Sequence, residues 1–303
     1  MNRLIIIGAS GVIGNALHQR ARKSTATIIA TARTRVGDGI LRYDMQQPLK
    51  TLIPDLCDTD CVVLLAGYSA PAFIAANPKA AIRLNGDASK ALLHEVEKTG
   101  ARFVFLSSDQ VFDGGTGGYT ENSIPRPLNL YGRLKRQMEH HVLGYHNGVV
   151  ARTGWNVGWR KTDHCPVAQC YATLLHPNAK MATDNYFNVT DVNDTAAALL
   201  KVATMDKPEP IYHFVSDPEL TRVELAEMIE HFSLYGSAMH HKRVPFETIE
   251  YSEPRPKRAH LAVTKPVGVE FRSPRDVIGQ KVIMLDQWQM EAQVMWPKRV
   301  VGS

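Results

Sequence analysis

Tyr131-Gly132-Arg133-Leu134-Lys135 sets a phenol and an amine four residues apart, one turn along one face of a helix. An isolated tyrosine hydroxyl titrates near pH ~10 and is a slow acid or base at neutral pH. A nearby ammonium favours the phenolate and makes the group usable for proton transfer. An exposed helical pair has the same spacing, so the neighbouring residues must decide. Phe103-Val104-Phe105-Leu106-Ser107-Ser108-Asp109 reads as a buried strand ending in hydroxyls. Ser108 is the one placed to donate a hydrogen bond to a carbonyl oxygen, although capping a turn is the commoner use of such serines. Phenol, amine and strand-end hydroxyl together suit the reduction of a small-molecule carbonyl.

A third motif supplies the site for a cofactor. Ile5-Ile6-Ile7-Gly8-Ala9-Ser10-Gly11-Val12-Ile13-Gly14 is a strand, a glycine turn and a helix start. Gly8 suits the tight turn, Gly11 a close backbone approach to a pyrophosphate, and Gly14 tight helix–strand packing. The flanking backbone of Ser10, Val12 and Ile13 opens the helix, whose free N–H groups attract phosphate. An ordinary tight turn has the same look; its place directly after a buried strand favours the cofactor. The next strand ends in Thr31-Ala32-Arg33, nineteen residues past Gly14. An acidic residue there would hold the ribose hydroxyls of NADH, whereas Arg33 suits the 2′-phosphate of NADPH. NADPH is the expected cofactor, with NADH as the other option.

The elements that must carry these groups alternate. Strands are expected at Arg3–Ile7, Thr27–Thr31, Cys61–Ala66, Arg102–Leu106 and Gly148–Arg152, with helices over Val12–Arg22, Lys79–Lys98 and Tyr131–Leu143. This alternation predicts an α/β fold: a Rossmann-type, doubly wound parallel sheet, with strands apolar enough to be covered on both faces. After Trp155 the rhythm breaks and returns at Val189–Thr204 and Ile211–Phe232. A smaller α/β substrate lobe is therefore expected, with residues 1–156 plus about 186–212 binding the dinucleotide. About 157–185 plus 213–290 form the substrate lobe, and 291–303 a tail; Asp286–Met295 suits a terminal helix.

Composition excludes several classes. Of 303 residues, 44% are hydrophobic and 21% charged, as in globular proteins. No apolar run is long enough for a membrane span, and no leader pattern opens the chain, so a cytoplasmic protein is expected. The net charge of +5 suits anionic ligands, but the cations are scattered and form no stripe for nucleic acid. The pairs Cys57/Cys61 and Cys165/Cys170 lack metal spacing, and His164 beside them adds no ligand set. Buried free thiols and no metal are the expectation.

Taken together, these motifs resemble the extended short-chain dehydrogenase/reductases, and within them the dTDP-4-dehydrorhamnose reductase family, over roughly residues 3–265. Ser107-Ser108-Asp109-Gln110-Val111-Phe112-Asp113-Gly114 is similar to that family's S-[ST]-D-Y-V-F-D-G. Pro125-Arg126-Pro127-Leu128-Asn129-Leu130-Tyr131-Gly132 is similar to P-x-P-x-N-x-Y-G, and Arg255-Pro256-Lys257 to a late R-P-[KR]. The resemblance implies a catalytic triad of Ser108, Tyr131 and Lys135, with cofactor contacts at Asp44, Met45, Ala66, Gly67, Tyr68 and Asn85. It implies a nucleotide-linked 4-keto sugar as substrate, with Gln110, Phe112, Trp155 and Asn156 at its pocket. A homodimer is left open, as are a related epimerase or dehydratase and a non-catalytic nucleotide-binding regulatory subunit. The chain departs from the family on the substrate side. Gln110 stands for a tyrosine, Gly67-Tyr68-Ser69-Ala70-Pro71 for a more polar stretch, and Ala259 and Ala262 for serine and aspartate.

Overall fold

The computed structural model describes residues 1–24 and 26–295. Most of the 291–303 tail named above lies outside them. Seven parallel strands form one sheet: β1 (Arg3–Ile7), β2 (Thr27–Ala32), β3 (Ile40–Arg42), β4 (Cys61–Leu64), β5 (Arg102–Ser108), β6 (Gly148–Thr153) and the strand Ile211–Phe214. Their order is Ile211–Phe214, β6, β5, β4, β1, β2, β3. The chain therefore reverses direction across the sheet between β1 and β4, which leaves a crevice at the strands' carboxyl ends.

Strand alternation divides the core. Leu4, Ile6, Val63 and Val104 face one side, where α1 (Val12–Ala21) and the helix Val192–Thr204 cover them. Ile5, Ile7, Val62, Phe103 and Phe105 face the other, against the helices Ser89–Glu97 and Leu130–Gly144. A second lobe gathers around Val157, Val167, Phe187, Leu225, Ile229 and Val282. Its helices are Pro166–Leu174, Arg222–Phe232 and Pro274–Met295. Short strand pairs link them, including Trp155–Val157 beside Val189–Asp191.

Three expectations need correction. The helix expected over Lys79–Lys98 breaks into Pro78–Ala81, a π-helical stretch Ile82–Ala88, and Ser89–Glu97. Apolar spacing does not distinguish α from π winding over so few residues. The terminal helix starts at Pro274 rather than Asp286, because Ser273 accepts the Asp276 N–H and donates to its carboxylate. Cys57 is exposed, unlike the three buried thiols, because it sits in the loop before β4.

Beneath the sheet edge lies an ion pair with almost no solvent contact. Arg152 Nε donates to Glu139 Oε1 and Nη2 to Oε2, both at 2.9 Å, and Ser107 Oγ donates to Glu139 Oε1 at 2.6 Å. Glu139 and Arg152 are 0% and 1% exposed, so neither charge has water to fall back on. Arg152 Nη1 also faces His213 Nε2 at 3.4 Å, and burial lowers that histidine to about 4. A neutral His213 with Nδ1–H donating to the Ala262 carbonyl satisfies this geometry. Removing one partner of a buried pair strands the other charge, at about 3–5 kcal/mol. Glu139→Gln should lower unfolding stability in urea by about that amount. Adding Arg152→Met should restore a substantial part, and a loss under about 1 kcal/mol for Glu139→Gln would show that the pair bears no such strain.

Candidate functional site

The glycine turn behaves as a backbone cradle. Gly8 has φ +101°, and a Cβ there would meet the Ala66 nitrogen at 2.6 Å. Gly14 admits no Cβ either, because it would run into the Gly8 carbonyl, so α1 starts pressed against β1. Gly11 caps α1 without any side-chain hydrogen bond, and the first turn holds no acidic residue. The N–H groups of Val12 and Ile13 and the positive end of the helix are therefore left for an anion.

A groove runs along the carboxyl ends of β1, β2 and β4 from this cradle. Gly8, Ser10, Gly11, Arg33, Asp44, Met45, Ala66, Gly67 and Tyr68 all line it, together with Tyr43 and Leu84. Val12, Ile13 and Gly14 lie just beyond, as the opening of α1. Asn85 stands behind the groove wall. Its Oδ1 accepts the Tyr68 N–H at 2.9 Å and its Nδ2 donates to the Tyr68 carbonyl at 2.8 Å. The π-helical stretch aims Asn85 at this loop, and Gly67 has φ +150° and leaves no room for a Cβ, which would meet Asn85 Oδ1 at 2.9 Å. A cradle of open N–H groups, a cation at Arg33 and a long groove fit a dinucleotide.

Next along the sheet edge stand the groups with acid–base chemistry. Asn129 caps the helix Leu130–Gly144 by accepting the Gly132 N–H at 2.9 Å, and donates to Gln110 Oε1 at 3.2 Å and the Pro254 carbonyl at 3.0 Å. That fixes Tyr131 on the first turn beside the end of β5. Tyr131 is 8% exposed, and burial pushes its phenol up to about 12, with Ser108 hydrogen bonding opposing the shift. Lys135 Nζ donates to the Leu106 carbonyl at 2.7 Å and lies 5.8 Å from the Tyr131 ring centre and 4.6 Å from that of Phe105. Burial lowers the amine to about 8, and the Glu139 carboxylate one turn on opposes that loss of charge. Ser108 Oγ donates to Asp109 Oδ1 at 2.8 Å, and burial raises that carboxyl to about 6.

A second, narrower cleft opens from Asp109 and Gln110 toward the other lobe, walled by Trp155, Phe187, Arg222, Tyr251 and Arg255. Trp155 stacks on Phe187 with ring centres 3.9 Å apart, and the Arg222 guanidinium covers Trp155 at 3.9 Å. Burial lowers Arg222 to about 10, so it is cationic at neutral pH. Arg255 lies 4.8 Å from the Tyr251 ring centre with its Nε unpartnered. Among the described residues neither arginine pairs with a carboxylate.

Of the residues expected at the substrate pocket, Gln110 and Trp155 line this cleft, whereas Phe112 and Asn156 do not. Phe112 is fully buried, stacked on Tyr119 at 4.2 Å and lying 5.0 Å beneath the Arg152 guanidinium. Asn156 spends its side chain on the frame, donating to Thr153 Oγ1 at 2.8 Å and accepting from Thr195 at 2.6 Å. Sequence reading missed Glu139, Arg222 and Arg255 as site residues. Glu139 carried a usable signal, because it follows Lys135 by one helical turn and faces the same way.

Comparison with known proteins agrees with this fold. The RmlD substrate binding domain family matches residues 1–276. Methionine adenosyltransferase 2 subunit beta of Xenopus tropicalis is 28% identical over 285 residues, spanning 90% of this chain and 84% of that protein. A dTDP-4-dehydrorhamnose reductase of Mycobacterium tuberculosis is 25% identical over 269 residues, spanning 86% and 84%. The Bacillus anthracis dTDP-4-dehydrorhamnose reductase solved with NADP superposes with a TM-score of 0.78 at 20% identity, covering 94% of this chain and 100% of that one. The chain belongs to the RmlD substrate binding domain family.

Proposed function

We propose that this protein is an NADPH-dependent reductase of a ketone, with a nucleotide-linked 4-keto sugar or a related metabolite as substrate. The carrying observation is that Tyr131, Lys135 and Ser108 meet at the end of β5, between the dinucleotide groove and the arginine-lined cleft. When bound, the nicotinamide supplies hydride to the carbonyl carbon. Tyr131, neutral because burial holds its proton, donates that proton to the carbonyl oxygen. The resulting phenolate is stabilised by the Lys135 ammonium, held in place through the Leu106 carbonyl. Ser108 steadies the carbonyl oxygen once its hydroxyl turns from Asp109 toward it. One hydride and one proton account for the alcohol formed, and the cofactor is oxidised.

The second cleft supports the substrate class. Two guanidinium groups that, among the described residues, pair with no carboxylate call for an anion of about the charge of a diphosphate, and Trp155 and Tyr251 wall the same cleft. The M. tuberculosis relative acts, by its name, on a dTDP-linked keto sugar. Gln110 and Ala259, both on this cleft, differ from the dTDP-4-dehydrorhamnose pattern, so the sugar itself is proposed to differ from that one.

A regulatory reading has one observation in its favour, the 28% identity to methionine adenosyltransferase 2 subunit beta. It calls for nucleotide binding without turnover, and it gives the enclosed Lys135 beside Tyr131 no task. Assay of NADPH oxidation with nucleotide-linked keto sugars separates the two. Tyr131→Phe should cut kcat by about a hundredfold or more while leaving the NADPH dissociation constant near wild type. Wild-type binding of NADPH with no carbonyl reduced would overturn the reductase in favour of the regulatory subunit. In the same assay Arg33→Ala should weaken NADPH by about tenfold and leave NADH nearly unchanged. An equal loss for both cofactors would remove Arg33 from 2′-phosphate recognition.

A further inference from the structure

The cradle around Gly8–Gly14 contains no cation of its own; residues 8–15 are all uncharged. One is delivered from elsewhere. Arg160 belongs to the loop between the strand Trp155–Val157 and the helix Pro166–Leu174, in the second lobe. Its Nη2 donates to the Gly11 carbonyl at 3.2 Å and reaches the Ser10 carbonyl at 3.4 Å. Ser10 and Gly11 both line the dinucleotide groove. The charge thus sits against the same two residues whose backbone forms the phosphate end of that groove.

This placement is built rather than incidental. Asp163 holds the guanidinium, its Oδ1 accepting the Nε–H at 2.9 Å and ion-pairing with Nη2 at 2.7 Å, and its Oδ2 accepts the Arg160 backbone N–H at 3.0 Å. The Asp163 side chain is itself only 4% exposed. Gly158 lets the loop come this close, because a Cβ there would meet Val12 Cγ1 at 2.7 Å. Nη1, with two N–H groups, donates to no partner among the described residues. A guanidinium fork with one edge fixed by a carboxylate and one edge open is suited to a phosphate oxygen.

We propose that Arg160 is a ligand for the cofactor pyrophosphate supplied by the second lobe, so that cofactor binding fastens this lobe to the glycine turn. The inference rests on the dinucleotide reading given above. The neutral carbonyls of Ser10 and Gly11 are weak acceptors beside a phosphate, so the fork exchanges them for a stronger partner without leaving Asp163. The substrate cleft is walled by the same lobe, through Trp155 and Arg222. Pyrophosphate binding therefore steadies the wall that substrate meets.

The test is calorimetric titration of the full chain with two probes, NADPH and adenosine 2′-phosphate, which lacks the pyrophosphate. Arg160→Gln should weaken NADPH by about ten- to a hundredfold and leave adenosine 2′-phosphate within about twofold of wild type. Arg160→Lys, keeping the charge and losing the fork, should fall between. Thermal melting of each variant without ligand checks that the fold persists. Unchanged NADPH affinity in Arg160→Gln overturns the inference, and so does an equal loss for both probes, which marks a merely structural role. Failure of the wild-type protein to bind NADPH at all would instead overturn the dinucleotide reading, and this inference with it.

Discussion

The Glu139 carboxylate ties together the three elements that the site needs. It accepts from Ser107 at the end of β5 and from Arg152 on β6, and it stands one turn beyond Lys135 on the helix that carries Tyr131. A charge this deep is costly unless paired and fully hydrogen-bonded. Here the pairing partners are the strands and the helix whose relative position sets the phenol and amine beside the crevice. The same negative charge opposes the burial that would strip Lys135 of its proton. Register and protonation thus depend on one side chain that touches neither cofactor nor substrate in the proposed chemistry.

Around that anchor the two clefts divide the work. The groove at the glycine turn is mainly backbone, with glycines that admit close approach and an exposed arginine at the end of β2. The cleft toward the second lobe is mainly side chain, built from stacked aromatics and from arginines that, among the described residues, pair with no carboxylate. Backbone cradles tolerate little substitution, because a Cβ at Gly8 or Gly14 collides with main chain. Side-chain walls can change one residue at a time. Of the chain's departures from the dTDP-4-dehydrorhamnose pattern, Gln110 and Ala259 line the second kind of surface, whereas Gly67 and Tyr68 line the first.

Much of this was legible in the residues. The parallel sheet follows from apolar strands that alternate with helices, the glycine turn marked where the groove begins, and the four-residue spacing put Tyr131 and Lys135 on one helix face. What stayed hidden depended on contacts distant in sequence. Phe112 sits in a motif beside substrate-facing residues, yet Tyr119 and Arg152 pack it inward. Asn156 looked like a pocket residue but caps its own strand end. Arg222 reads as an ordinary helix-opening residue until the fold stacks it on Trp155. The π-helical stretch at Ile82–Ala88 leaves no periodic trace, although it is what aims Asn85 at the Tyr68 loop. An arginine at the end of an apolar strand, Arg152, was a usable clue, since a buried guanidinium demands an anion nearby.

The proposed chemistry stands on the Tyr131 phenol and the Lys135 amine lying together at the edge of a bound nicotinamide. The direct measurement is a ¹³C-tyrosine NMR titration, with the Tyr131 resonance assigned from Tyr131→Phe, in the free protein and in its complex with NADP⁺. In the free protein the phenol should titrate well above ordinary tyrosine, because burial holds its proton. In the complex it should fall, as the positive charge of the oxidised nicotinamide favours the phenolate. An unmoved Tyr131 titration on saturation with NADP⁺ would place the phenol away from the nicotinamide and contradict the arrangement.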